Sequence, residues 1–361
     1  MRECEGIKNM KKIISIILLL ILMFNLCSCT NNQTKNETRT IVDCIGDEVK
    51  IPTKVDKVIN LVAYGTQIMV GLGLGDYLVG INEETIESAW ISEMYPRINE
   101  IATYGYEESA ESLLAANADI VFVEEPDRAR FLREKGVPAV TFGFLSIEEM
   151  QNSIKMLGDI LGNDAKEKCN EYLAYMDSNI KLVKESLDGK LQKQETLYYI
   201  NGVSNKGLYK TSGKGSTNHA VAELSMVDFA TENLIEFPAN KVDSEAILAV
   251  NPENIIIGGV YQHVLKDELF NSPEWKINTA VKEGNVFTVP MGISAWNRYG
   301  IEIAMMITWT SAVVYPELFD YNIVKETINF YEKFAGYRLT ETQAMYILNG
   351  LTPNGEKEIA N

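Results

Sequence analysis

The stretch best suited to hold a small molecule is Trp296-Asn297-Arg298-Tyr299. An arginine flanked by aromatic rings offers stacking faces, a cation–π partner and a two-pronged clamp for a carboxylate or phenolate. Arg298 is therefore the leading candidate ligand residue. Its competing use is a salt bridge to Glu302, four residues on along the helix expected to follow. Further aromatic candidates sit where strands should end: Tyr64 after INLVA, Trp90 in the polar stretch ESAWISEMYP, Tyr104, Tyr209 at the head of YKTSGKGSTNH, Tyr261 after IIIGG, and Trp296 itself. Aromatics beside an arginine suit a large, flat, anionic ligand. His219 and His263 are the only histidines, and both fall in expected loops of the C-terminal half. They could ligate a metal directly. A bare divalent ion, however, usually takes three or more imidazole or carboxylate ligands, in which these loops are poor. That argues against a bare-ion site.

Motifs for other chemistry do not form. GLGLGDYLVG at 71–80 lies in a helix–loop region and is no dinucleotide fingerprint. TSGKGST at 211–217 lacks the spacing of a phosphate loop, and no Gly-x-Ser-x-Gly elbow accompanies the scattered serines and histidines. Neither catalysis nor a cofactor is expected. Of the five cysteines, Cys4 and Cys27 fall in the N-terminal leader, Cys29 follows it directly, and only Cys44 and Cys169 lie in the body of the chain. A metal-cluster enzyme would need about four thiolates. The two read as isolated buried thiols. A formal net charge of -17 makes nucleic-acid binding by a basic face a poor fit.

The elements that must carry these residues show a repeat. ESLLAANADIVFV from Glu111 aligns with EAILAVNPENIII from Glu245, pairing Asn117 with Asn251 and Asp119 with Glu253. Each copy reads as a short helix, a turn and a buried strand. Gly136 and Gly284 then close a second helix in each copy before another strand. Two copies of one αβ arrangement predict an α/β fold of two Rossmann-like lobes with mostly parallel sheets. Between them, residues 147–187 show helical spacing of apolar residues, interrupted at Gly162-Asn163. The second segment, from about 164 to 187, has no glycine or proline, and would form a single long interdomain helix.

At the N-terminus, Lys11-Lys12 precedes the apolar run IISIILLLILMF and then Leu26-Cys27-Ser28-Cys29. The run is short for a membrane span and reads as a secretory signal. Small residues before a cysteine resemble a bacterial lipobox, which implies cleavage before Cys29 and a lipid on its sulfur. Either Met1 or Met10 could start this leader. The expected plan is a signal at 1–28, a polar tether at 29–40, an N-terminal lobe at 41–146, a linking segment at 147–190, a C-terminal lobe at 191–322, and a helical tail at 323–361 packed on the C-terminal lobe.

As a set, TIVDCIGDEVKIP from Thr40, KVINLVAYGTQIMVGLGLGDYLVGI from Lys57, NVFTVPMGISAWNRYGIE from Asn285 and FYEKFAGYRLTETQAMYILNG from Phe330 resemble the substrate-binding lipoproteins of ABC importers. The similarity is to the long-helix class serving ferric siderophores, haem and cobalamin. It implies a monomeric receptor on the outer face of the cytoplasmic membrane, capturing a metal chelate between its lobes. The chelate would be a ferric siderophore, or alternatively haem, cobalamin or a nickel complex. Its partners would be a permease and that permease's ATPase. The resemblance also implies that one surface glutamate per lobe, Glu111 and Glu245, pairs with permease arginines. Each is equally explained as an acid favoured by a helix N-terminus. A cluster-bearing enzyme and a surface adhesin are the readings from other classes.

Overall fold

A computed structural model describes residues 37–85, 88–204 and 207–357. The signal, Cys29 and most of the tether lie outside the described residues. The described residues from Thr40 onward form one compact unit that contains both lobes. The structure starts with β1 (Thr38–Val42), so the last tether positions are already strand; β2 (Glu48–Pro52) completes a two-stranded ribbon.

The N-terminal lobe runs β3 (Val58–Asn60), α1 (Ala63–Gly71), β4 (Leu78–Asn82), α2 (Ala89–Met94), β5 (Ala102–Tyr104), α3 (Ala110–Ala115), β6 (Ile120–Val123), α4 (Pro126–Glu134) and β7 (Ala139–Thr141). Its five strands are parallel in the order β5-β4-β3-β6-β7. Then come α5 (Ile147–Leu161) and α6 (Asn163–Leu187), parted by Gly162 at φ 72°. The C-terminal lobe runs β8 (Thr196–Asn201), α7 (Thr217–Leu224), β9 (Asp228–Phe229), α8 (Ser244–Val250), β10 (Asn254–Gly258), α9 (Gln262–Asn271), α10 (Thr279–Glu283) and β11 (Val286–Thr288). Its parallel sheet has the order β11-β10-β8-β9. The chain continues with α11 (Ile303–Val314), α12 (Ile323–Phe334) and α13 (Glu341–Leu348).

The physics behind the sheets is simple. β6 (IVFV) and β10 (NIIIG) are buried at every residue, as central strands covered on both faces must be. The repeat is real and extends to individual atoms. Asn117 and Asn251 both adopt the left-handed conformation, at φ 53° and 52°, just after α3 and α8. Asparagine tolerates that region better than most residues. Asp119 accepts the backbone N–H groups of Asp56 and Lys57 at the entry to β3. Glu253 accepts the N–H of Thr196 at the entry to β8. Each acid ties its strand's start to the neighbouring strand.

Helix α6 spans 25 residues, roughly 37 Å at 1.5 Å per residue. It buries Ala165, Cys169, Tyr172, Met176, Asn179, Val183 and Leu187, one stripe at intervals of three and four. Tyr172 and Asn179 donate from that stripe to the carbonyls of Ile301 and Ala304, at 2.9 Å each, where α11 begins. Burial pushes the Cys44 thiol up to about 11 and Cys169 up to about 12, so both are protonated and unreactive at neutral pH.

The tail departs from expectation. It packs on both lobes, not on the C-terminal lobe alone. Tyr337 donates to Glu93 of the N-terminal lobe at 2.8 Å, and the indole N–H of Trp90 donates to the carbonyl of Leu351 at 2.8 Å. One residue earlier, the carbonyl of Gly350 meets Nε2 of His263 on α9 at 3.0 Å. The tail's apolar face, with Phe330, Tyr331 and Phe334 buried, needs more cover than one lobe supplies.

Candidate functional site

A cleft of about 500 Å³ opens between the lobes. The N-terminal lobe lines it with Ala63, Tyr64, Gln67 and Leu145. The C-terminal lobe supplies Asn201, the segment Thr211–Ser212, the segment Ser216–Asn218, the segment Phe237–Asn240, and Asn297, Arg298 and Tyr299.

Three local features place these groups. First, α1 begins directly at the cleft with Ala63 and Tyr64, and its N-cap, Val62, has no side chain able to accept from the first turn. Its first-turn N–H groups thus face the cleft with no side-chain cap. Second, α7 also begins there, capped by Ser216, whose Oγ accepts from the His219 N–H at 3.2 Å. Two positive helix ends thus converge on one space. Third, the chain leaves β8 at Gly202, whose N–H bonds the Gly258 carbonyl at 2.6 Å. A Cβ there would sit 2.2 Å from that oxygen, so only glycine allows the crossing.

The loop bearing Arg298 is held from behind. Glu302 is fully buried, and burial raises its carboxyl pKa. Its oxygens accept from Ser294 N–H at 3.1 Å, Ser294 Oγ at 3.0 Å and Tyr331 hydroxyl at 3.2 Å. Glu302 therefore faces inward, and its hydrogen bonds anchor the loop's base. Asn297 donates to the Tyr199 hydroxyl at 2.6 Å, and Tyr299 donates across the cleft to the Leu145 carbonyl at 3.1 Å. Burial, reinforced by the Glu124 carboxylate, pushes the Tyr64 hydroxyl well above its ordinary range and keeps it protonated. Arg298 is the one charged side chain among the described residues lining the cleft.

The aromatic expectations divide sharply. Tyr64 and Arg298 line the cleft. Trp90 and Trp296 do not: they are 1% and 0% exposed, inside the core. Their indole N–H groups are already used, by Leu351 and by the Tyr331 hydroxyl at 3.2 Å. Tyr104 ends β5 with its ring over Gly80. Tyr209 bonds Glu274 and lies beside Trp275, and Tyr261 packs on the C-terminal core. These three are structural in this arrangement, and none lines the cleft. His219 is buried edge-on against Phe229, with Nδ1 3.4 Å from Glu223. His263 is engaged by Gly350. Among the described residues, no three His, Cys, Asp or Glu side chains gather to hold a metal ion. Glu111 and Glu245 are both exposed in the first turns of α3 and α8. Sequence reasoning missed Gln67, Leu145 and the segment 237–240 altogether. It reached the right loop after β8 but chose Tyr209 over the hydroxyls and amides that follow.

Two lobes built on parallel sheets, a stiff linking helix and a polar cleft between them define a solute-binding protein. The chain belongs to the periplasmic binding protein family, whose pattern matches residues 64–291. It is 23% identical over 321 residues to YvrC of Bacillus subtilis, an ABC transporter substrate-binding lipoprotein; the match covers 83% of this chain and 96% of that protein. A periplasmic solute binding protein from Veillonella parvula has the same fold, with a TM-score of 0.76 at 22% identity, covering 88% of this chain and 99% of the other. The molybdate periplasmic binding protein MolA of Haemophilus influenzae, bound to molybdate, has a TM-score of 0.71 at 20% identity, covering 84% and 99%. Helicobacter pylori CeuE with Ni(II) bound has a TM-score of 0.65 at 20% identity, covering 85% and 99%. The family reached from sequence patterns is thus the one matched.

Proposed function

We propose that the protein is the lipid-anchored, extracytoplasmic receptor of an ABC importer, and that its solute is an anionic metal chelate, a ferric siderophore first of all. The observation that carries the choice of solute is the charge of the cleft. Its described lining holds one guanidinium, two helix N-termini, and no carboxylate, imidazole or thiolate. A naked divalent cation would be repelled by that set; an anion is attracted by it. The volume falls within the usual range for small-molecule sites and exceeds what a single four-oxygen anion fills. The metal then arrives already wrapped by its chelator.

Capture works through the lobes' differential contacts: a solute that touches both Tyr64 and Arg298 favours the arrangement that brings the two lobes together. Closure is small, because α6 and several cross-lobe bonds, including Ser88 Oγ to the Gly292 carbonyl at 2.7 Å, resist hinge motion. Glu111 and Glu245, alike in position and exposure, are the proposed contacts to the permease, with its ATPase beyond.

The buried indoles make tryptophan fluorescence a weak reporter, so isothermal titration calorimetry is the test. The panel is ferric citrate, a ferric hydroxamate, a ferric catecholate, haem, cobalamin, molybdate, and free Ni(II) and Zn(II). Saturable binding of a ferric chelate is expected, weakened about 10- to 100-fold in Arg298→Ala as a charge-assisted bond is lost. A tight site for free metal that depends on His219 or His263 would overturn the reading.

A further inference from the structure

Leu145 is 77% exposed and Phe237 is 62% exposed, among the most exposed large apolar side chains described in the protein. Single exposed apolar residues are ordinary. These two are not scattered: both line the same cleft, one from each lobe. Neither is exposed through slack. The Leu145 N–H bonds the Glu149 carboxylate at 2.7 Å, and its carbonyl accepts from Tyr299. The Phe237 N–H bonds the Lys214 carbonyl at 2.8 Å, while the Lys214 N–H bonds the Ile235 carbonyl at 3.0 Å. Each backbone is held while its side chain stands in water.

The surroundings extend both residues into surfaces. Behind Leu145, Phe144 meets Tyr64 and Tyr299 edge-on, at ring-centre distances of 5.1 and 5.0 Å. Beside Phe237, Pro238 and Ala239 continue an apolar strip along the cleft. Much of the remaining wall is amide and hydroxyl, from Asn201, Thr211, Ser212, Asn218, Asn240 and Asn297. A solute hydrophilic on every side would satisfy that wall and leave Leu145 and Phe237 wet. A solute with a flat or apolar outer face would bury both.

We infer that Leu145 and Phe237 form a two-sided apolar grip that selects, among anionic chelates, those presenting an aromatic or aliphatic outer face. This rests on the chelate reading above and narrows it. The grip and the charge act on different parts of the solute: Arg298 and the helix ends read its charge, and the grip reads its periphery.

The test titrates wild type, Leu145→Ser and Phe237→Ser with two ferric probes, a ferric tris-catecholate and ferric citrate. Both replaced side chains are exposed, and circular dichroism with thermal melting checks that the variants fold. Wild type should prefer the tris-catecholate. Each variant should weaken it roughly tenfold, as loss of a good apolar contact does. Ferric citrate should change by no more than about twofold, as for an ordinary surface substitution. Equal losses for both probes, no loss for either, or a wild-type preference for citrate would overturn the grip while leaving the chelate reading intact. Binding of molybdate with neither ferric probe bound would overturn the chelate reading, and the grip with it.

Discussion

In the N-terminal lobe, two residues separate β3 from α1; in the C-terminal lobe, fifteen residues, 202–216, separate β8 from α7. The strand orders otherwise correspond, with β4-β3-β6-β7 matching β9-β8-β10-β11. The first lobe adds β5 at its edge, where the second has the loop 230–243 leading into α8. The cleft follows from this difference. One lobe offers a helix end and a short wall. The other supplies thirteen of the seventeen lining residues, ten of them from its loops. A duplicated scaffold has kept its strands, which the core demands, and diverged in loops that the core leaves alone. Solute choice should therefore reside mainly in the second lobe, while both lobes share whatever depends on the repeat.

The largest expected effect tests the shared part. Reversing charge at both Glu111 and Glu245 to arginine should abolish solute uptake in cells, with solute affinity in vitro changed by no more than about twofold. Intact uptake would remove both residues from docking.

A smaller effect should separate the lobes. Asn117 and Asn251 share a left-handed backbone, so alanine at either position should cost about 1–2 kcal/mol in urea unfolding from backbone strain alone. Glycine should separate them. Asn251 also accepts the Thr279 N–H at 2.9 Å and the Asn278 amide at 3.0 Å, and donates to Thr279 Oγ1 at 2.8 Å. Asn251→Gly should therefore lose about 1–3 kcal/mol, and Asn117→Gly should be close to neutral. Equal costs would show that the two turns are held in the same way.

The smallest effect concerns His263. Burial lowers its pKa from 6.5, the Gly350 carbonyl opposes that shift, and Lys357 and Lys266 add to it; Asp267 also opposes it. The unfolded chain then binds the proton more readily than the folded one. Its contribution to stability is present above about pH 6.5 and is lost as pH falls below that value. Melting temperatures on either side of this range should show a small acid loss that His263→Gln flattens.

The scaffold was readable in the sequence because its rules are local. Apolar runs mark buried strands, Gly162 marks the break between α5 and α6, and the aligned pairs Asn117/Asn251 and Asp119/Glu253 mark the repeat. The cleft was harder. Residue type suggested aromatics, but a tryptophan suits a core as well as it suits a ligand. Trp90 is claimed by a carbonyl 261 residues away, and no local pattern shows that. Nearly half of the actual lining is asparagine, serine and threonine, which read in sequence as ordinary loop. Arg298 was found because charge beside aromatics is rare enough to stand out; Phe237 was not, because nothing nearby in the chain marks it.

The turn at Gly350-Leu351 bears on how the chain acquires its structure. Two consecutive carbonyls there are held by opposite lobes, through His263 and Trp90. While only the first lobe has been synthesised, the Trp90 indole lacks this acceptor and turns to water, forgoing a hydrogen bond worth about 0.5–1.5 kcal/mol. The first lobe thus reaches its final stability only after residue 351 exists. The seam beside Trp90 is therefore among the last parts of the first lobe to close, and it waits on the C-terminal turn.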